Sequence, residues 1–555
     1  MEEKNSIGII LSGATTQEAS CQMLEGAERG GIREGMLLLV KPKDRKPILA
    51  RVSQIMPYNA FYTEGDPWSE ARRKGLPIPE DVARQYEVCK LELLIEIPPR
   101  EVSYPPYPGD FVIKIDPKEH ERDIFEISRG DPKHIWYASL AGYENAPVPL
   151  NVENIPMHMA VFGTTGSEKS FDTGALIEKL ADVPFDENTH ISFPMIIIDA
   201  NGDYLDYVNC FKRDGTMGHI GWIKRFVFPK IYSSRLDMRE DAEYVIPIGI
   251  NLDVLSKREL AETIITYYKG STDGAELQLS GIVTLFEQME EERGYYSRHD
   301  LFLDNYQELI EELEGFERGR ISAPTQAAIR RSLEKFREIE NEHKLLSTKS
   351  ILKEEDFIDD ITKNGGIAVI DFSADGATGV DLSTKQLVMT YIATLLFKKF
   401  TEFKVKGKER YLTFLIEEAQ NFCPDRSYPV SSSLAHSKLS LIATQGRKFG
   451  LSLCLITQRP SFVDRIVLSM CNTFFIHRIS PDDVSFVKNV TGGLPASLAS
   501  RLTTLERGEL IITGQMNKVP FPLLVKVKKS DRKVEHTAGT TNVVERLVKL
   551  RGGED

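Results

Sequence analysis

Short apolar runs separated by turn residues fill the first hundred positions: residues 7–11, 36–40, 48–55 and 91–97 alternate with Gly30, Gly31, Gly35 and the turn sequence 41–44. Runs of this length with such punctuation predict a small β-barrel over residues 1–105. Residues 66–85 are polar and read as a helical or irregular excursion. The prolines at 98, 99, 105, 106 and 108 form a connection that cannot hold regular structure, and they are read as a domain boundary.

Beyond that point the pattern changes. Residues 159–162, 195–199, 367–371, 411–416, 451–457 and 473–476 are apolar almost without interruption, and helix-favouring segments lie between them. Continuous apolar strands separated by helices predict a parallel sheet covered on both faces, an α/β core divided into 106–250 and 366–525. Between them, 251–365 is charged and periodic and reads as a helical insertion, with the acidic runs 290–292 and 311–312 on solvated faces. Residues 526–555 are polar, with an amphipathic piece at 543–550 that suits a tail or an arm docked on a neighbouring copy.

Composition sets outer bounds. A chain of 555 residues with 41% hydrophobic and 27% charged residues is an ordinary globular protein with room for two or three domains. Its six cysteines form no C-x-x-C pair, which fits a reducing compartment. The N-terminus lacks a basic-then-apolar leader and no run of about 18 apolar residues occurs, so a cytoplasmic location without membrane contact is expected. A net charge of −13 argues against a surface that binds nucleic acid all over, yet leaves room for a local basic channel.

The chemistry begins at the end of the 159–162 strand. Gly163, Thr164, Thr165, Gly166, Ser167, Glu168, Lys169 and Ser170 follow the phosphate-loop pattern G-x-x-x-x-G-K-[ST] with one letter changed, and a helical stretch, 171–180, comes next. The pattern works because backbone N–H groups wrap the phosphates, the lysine reaches the β and γ oxygens, and the hydroxyl ligates Mg²⁺. This loop on such a sheet makes the core RecA-like, with ATP as the expected substrate and Mg²⁺ as cofactor. A second signal is the 411–416 strand ending in Glu417 and Glu418, the arrangement in which one carboxylate holds the metal and the next polarises the attacking water. By order Glu417 takes the metal role with Ser170, and Glu418 is the base. Gln458 ends the 451–457 strand, placed to sense the γ-phosphate. Arg447, on the turn ahead of that strand, suits the role of an arginine supplied to an adjacent subunit. Asp199, at the tip of the 195–199 strand, is a further carboxylate in reach of the metal or water.

In this order, the barrel, the phosphate loop, 198–204 (IDANGDY), 415–420 (LIEEAQ), 446–450 (GRKFG) and 457–460 (TQRP) resemble the HerA family of FtsK-like hexameric DNA translocases. The resemblance covers nearly the whole chain. It implies a homohexameric ring, ATP sites between subunits, double-stranded DNA through the bore, Lys169 and Ser170 on nucleotide and Mg²⁺, Glu418 as catalytic carboxylate and Arg447 as the trans-acting finger. It also implies an effector partner, a nuclease or a sirtuin-like NADase in antiphage defence, or a NurA-type nuclease in DNA end resection. A ring scaffold that activates the effector with weak or lost ATPase is the alternative from another class; a conjugation or segregation pump fits less well without membrane helices.

Two departures stand out. Met157 and His158 precede the loop strand where the family usually has a basic residue. Glu168 replaces the glycine beside Lys169, where a Cβ crowds the phosphate path and a carboxylate repels each phosphate charge by about 3 kcal/mol at about 5 Å and an effective dielectric near 20. An introduced substitution, a natural attenuation, or a side chain that swings into solvent and pairs with Lys169 would each account for it.

Overall fold

The structure, a computed structural model, describes residues 6–26, 31–64, 68–77, 85–116, 121–127, 130–186, 189–213, 220–316, 321–354, 356–428, 433–534 and 551. Strands β1 (Ser6–Ile10), β2 (Glu18–Met23), β3 (Leu37–Lys41), β4 (Ile48–Tyr58), β5 (Tyr86–Glu96) and β6 (Phe111–Lys114) close an antiparallel barrel in the order β1-β2-β5-β4-β3-β6. Leu38, Val40, Ala50, Val52, Leu91 and Val112 fill it. The domain boundary expected at residue 105 is therefore moved. β6 pairs with both β1 and β3, and without it the barrel would expose two open edges. The prolines fall in the β5–β6 connection, outside the strands themselves, where their missing N–H groups remove no strand-to-strand bond. Within the polar excursion a short helix, Ser69–Arg73, is described.

The remaining strands follow. After β7 (His134–Leu140), β8 (Pro147–Asn151) and β9 (Met159–Phe162) comes a small hairpin, β10 (Val183–Pro184) with β11 (His190–Ile191). Then come β12 (Met195–Asp199), β13 (Ile223–Val227), β14 (Val245–Pro247), β15 (Ile367–Asp371), β16 (Leu412–Ile416), β17 (Leu451–Thr457), β18 (Thr473–Ile476), β19 (Glu509–Gly514) and β20 (Leu523–Lys526). Except for the hairpin they form one twelve-stranded sheet, ordered β14-β13-β15-β12-β16-β17-β9-β18-β19-β20-β7-β8. From β14 to β18 every pair is parallel, and the last four joints are antiparallel. Strands β9, β12, β15, β16 and β17 are buried at every position, because one large apolar cluster covers one face and a second covers the other. That double burial is why their sequences run apolar without alternation.

Between β14 and β15 the chain is helical, including Lys257–Lys269, Glu276–Glu291 and Ala323–His343, whose apolar faces join the first cluster. The barrel is fastened to the sheet by polar contacts: buried Arg51 donates to the carbonyl of Pro522 at 2.5 Å, and Arg33 meets Glu509 at 2.6 Å. The amphipathic piece at 543–550 lies outside the described residues. In register, Asp199 stands beside Asp371, Ile198 beside Ile416, and Phe162 beside both Thr457 and Ile476. The carboxyl ends of the parallel strands thus reach one edge together, the place where open α/β sheets bind ligands.

Candidate active site

The loop after β9 hangs from its neighbours by backbone bonds. The N–H of Gly163 donates to the carbonyl of Thr457 at 3.2 Å, and the N–H and hydroxyl of Thr164 donate to the carbonyl of Arg478 at 2.8 and 3.0 Å. Gly163 has to be glycine, since a Cβ there would lie 2.6 Å from the Ser167 hydroxyl and 2.9 Å from His477 Cβ. Thr165 and Gly166 form the exposed crest, and Ser167 turns inward. The helix Lys169–Ala181 then begins, with Lys169 buried and Ser170 half-buried in its first turn.

Glu168 is the residue on which this helix starts, and it sits in the left-handed region at φ +67°. For a side chain other than glycine that conformation costs about 1–2 kcal/mol, which is the physical reason the pattern calls for glycine here. The pairing with Lys169 considered above does not form. Glu168 turns away from the loop and meets Arg507, Oε1 to Nε, at 3.4 Å.

The acidic edge is buried. Asp199 is fully enclosed and accepts the N–H groups of Gly202, Asp203 and Tyr204 at 2.7, 3.0 and 2.9 Å. Glu417, also fully enclosed, accepts the N–H groups of Ala200 and Asn201 on Oε2 at 3.0 and 3.2 Å, while Oε1 has no partner among the described residues. Burial pushes both carboxyls well above the usual carboxylate range. For Asp199, Asp371 adds to that push; for Glu417, Lys169 pulls back and Asp199 adds to it. An enclosed carboxylate oxygen without a donor, across from a lysine, fits a divalent cation as its missing partner. Among the described residues no three His, Cys, Asp or Glu side chains converge as a metal cage. Mg²⁺ would therefore rest on Glu417, Ser170 and the phosphates themselves, its usual mode in phosphoryl-transfer sites.

Glu418 sits at the start of a short turn with φ +49°, another strained conformation. Its two oxygens are engaged by amides, Oε1 by Gln458 Nε2 at 2.7 Å and Oε2 by Gln420 Nε2 at 2.5 Å. The Thr165 hydroxyl donates to Gln458 Oε1 at 2.5 Å, and the buried Thr457 hydroxyl donates to Gln420 Oε1 at 2.7 Å. A continuous chain thus links the crest of the phosphate loop to Glu418. Behind Glu418 a cavity of about 210 Å³ is lined by Asn201, Phe372, Lys385 and Phe422, among others.

Arg447 is the one expected site residue that the fold does not bring to this edge. It lies exposed in the 3₁₀ turn Gly446–Phe449, which leads into the amino end of β17, whereas Gln458 follows the carboxyl end of that strand. His158, at the same far end, is buried. Its Nε2 donates to the carbonyl of Ala443 at 3.0 Å and its Nδ1 accepts the N–H of Leu453 at 2.9 Å, while burial depresses its pKa to about 4. It therefore replaces a basic residue with a neutral packing group.

A model of the family described as Helicase HerA, central domain, matches residues 137–396. The chain is 24% identical over 527 residues to the DNA double-strand break repair helicase HerA of Saccharolobus solfataricus, covering 93% of this chain and 91% of that one. With the protein of the same name from Sulfurisphaera tokodaii it shares 24% identity over 558 residues, 98% and 97% of the two chains. The chain is thus similar to HerA helicases along nearly its whole length. Among solved structures, VirB4 of Thermoanaerobacter pseudethanolicus aligns with 72% of this chain and 98% of its own, at a TM-score of 0.45 and 14% identity. The family's central-domain match takes in the phosphate loop and Asp199 but stops before Glu417, Arg447 and Gln458. Those three are reached by the longer HerA alignments.

Several groups around this site carry no sequence signal of their own. Asp371, beside Asp199, is held by Arg225 at 2.6 Å and by Ser373, a network resting on the partly polar strand β13. Beneath the loop, His477 Nδ1 lies 3.2 Å from Asp172 Oδ2, both fully buried. Burial and the nearby Lys169 lower the His477 pKa to about 3, and burial first of all raises that of Asp172. Arg532 comes in from the segment after β20, stacking over Phe171 and Tyr207 and meeting Glu178 at 3.4 Å on the helix that begins at Lys169. Gln420 was legible only as the fourth letter after the Glu417 strand, two residues past Glu418, where an amide can turn back to it.

Proposed function

We propose that this chain is an ATP-driven motor on double-stranded DNA, assembled as a homohexameric ring and coupled to an effector, a nuclease or a sirtuin-like NADase, in antiphage defence. The observation that carries the ATPase reading is the chain Thr165–Gln458–Glu418–Gln420–Thr457. It ties the phosphate loop to a carboxylate at the strand tip, so a change at one is felt at the other. The HerA relatives named for DNA repair support DNA as the track.

In this reading the loop amides and Lys169 take the phosphates, and Ser170 with the unpartnered Glu417 Oε1 takes Mg²⁺. When bound, the cation neutralises developing charge on the phosphates. Glu418 orients the attacking water and accepts its proton once one of its two amide partners lets go. Gln458 reports the state of the crest to Glu418. Arg447, outside its own site, stabilises the transition state in a neighbouring subunit.

The test is ATP turnover with and without double-stranded DNA. The intact chain is expected to be stimulated, and Glu418→Ala to lose roughly a thousandfold in kcat while still binding nucleotide. Absence of stimulation by DNA would leave the ring scaffold as the better reading, in which effector assembly, followed by mass photometry, needs no ATP.

A further inference from the structure

We propose that Arg507 is a phosphate-site residue of this chain, and that Glu168 positions it: the two side chains together stand where an ordinary phosphate loop has glycine. The inference rests on the nucleotide reading of the loop given above.

The left-handed backbone at Glu168 is the one glycine would adopt, so the loop keeps its shape and only the direction of the side chain is new. The carboxylate runs toward residue 508. That position is glycine at φ +73°, and a Cβ on it would stand 3.3 Å from Glu168 Oε2, so its bare face is what gives the carboxylate close approach. The turn carrying Arg507 is firmly rooted. The N–H of Val527 donates to the Gly508 carbonyl at 2.9 Å, Lys526 holds Glu506 at 2.8 Å, and Arg33 holds Glu509 at 2.6 Å.

Among the described residues the guanidinium has no partner on its other side. Arg507 is 71% exposed and Glu168 34%. A pair so open to water adds little to stability, so holding the fold together does not explain it. Glu168 engages Nε, which leaves the two terminal nitrogens for a second anion, and a guanidinium is suited to bridging a carboxylate and a phosphate. The charge balance points the same way. Alone, Glu168 would repel the nucleotide; paired, it costs little and delivers a cation to the mouth of the loop.

Equilibrium titration of the full chain with a fluorescent ATP analogue and Mg²⁺, displaced by unlabelled ATP, tests this with Arg507→Ala, Glu168→Gly, the double variant and Lys169→Ala as control. Arg507→Ala, which leaves the Glu168 charge uncompensated, is expected to weaken binding about tenfold, the effect of one lost charge interaction. Glu168→Gly, which removes the repelling carboxylate and the anchor of its compensating cation together, binds within about twofold of the intact chain. The double variant, an ordinary glycine loop, binds within about twofold of the intact chain or better, so that Arg507→Ala matters far less once Glu168 is gone. A change under twofold for Arg507→Ala, or the same loss in both backgrounds, overturns the inference while the nucleotide site stands. No saturable binding by the intact chain, or binding untouched by Lys169→Ala, overturns the nucleotide reading and this inference with it.

Discussion

The two ends of β17 differ in every respect that matters for catalysis. At the carboxyl end, Thr457 and Gln458 are woven into the hydrogen-bond chain that holds Glu418, and the phosphate loop sits alongside. At the amino end, Arg447 projects into solvent from a turn, and the histidine behind it is buried, neutral and packed between two backbone groups. Seven residues of extended chain separate the ends by roughly 20 Å. An arginine side chain spans about a third of that distance. Arg447 therefore has no path to the nucleotide of its own chain, and a catalytic role for it requires a second copy whose carboxyl edge faces this turn. In the ring proposed above, one strand would carry the receiving half of a site at one end and the donating half of the next site at the other.

The sharpest way to break this comparison is at Arg447. Arg447→Ala is expected to lower kcat about a thousandfold, as when a trans-acting arginine is removed, with affinity for the ATP analogue unchanged within about twofold. Mixing that variant with Glu418→Gln should restore part of the activity, because some mixed interfaces then join an intact Glu418 to an intact Arg447. Two inactive variants that stay inactive on mixing would place both residues in one chain's site and end the two-ended picture. At the other end the effect should be smaller. Gln458→Ala removes the link between Thr165 and Glu418 but leaves the carboxylate, the loop and Lys169 in place, so a loss of about tenfold in kcat is expected with little change in KM. A loss as large as that of Glu418→Ala would mean that Gln458 itself handles the water.

How far each end was legible in the sequence follows from where its partners come from. Gly163, Lys169, Ser170, Glu417, Glu418 and Gln458 each lie within a short word whose spacing alone carries the chemistry, and the strands that hold them are apolar on both faces. Their partners are another matter. Thr165 and Gln458 are 293 residues apart, and nothing in the letters around Arg507 or Gly508 announces that Glu168 will find them. The pairing with Lys169, one of three explanations the sequence left open for Glu168, does not form, because the left-handed backbone at 168 aims the side chain toward Arg507. The strands that escaped the pattern have polar duties or poor strand composition. β13 carries Arg225 for Asp371, and β8 includes Pro147 and Pro149 at the sheet edge, where a missing N–H is tolerated. β6 was hidden by the prolines that precede it.

The smallest expected effect concerns His158, and it is one of stability. In the folded chain burial holds its pKa near 4, against about 6.5 when unfolded. Between those values the unfolded state takes up a proton that the folded state refuses, so stability falls as pH drops from about 6.5 toward 4. At pH 5 the cost is about 2 kcal/mol from this residue. His158→Gln, which cannot titrate, should be somewhat less stable than the intact chain at pH 7.5, having lost the ring's two backbone bonds. Its melting temperature should then decline less between pH 7.5 and 5. His477 and the buried carboxyls contribute their own slopes in both chains, so the difference between the two curves isolates His158. Parallel curves would mean that this histidine is protonated in the folded protein, and the amino end of β17 would then carry a second cation beside Arg447.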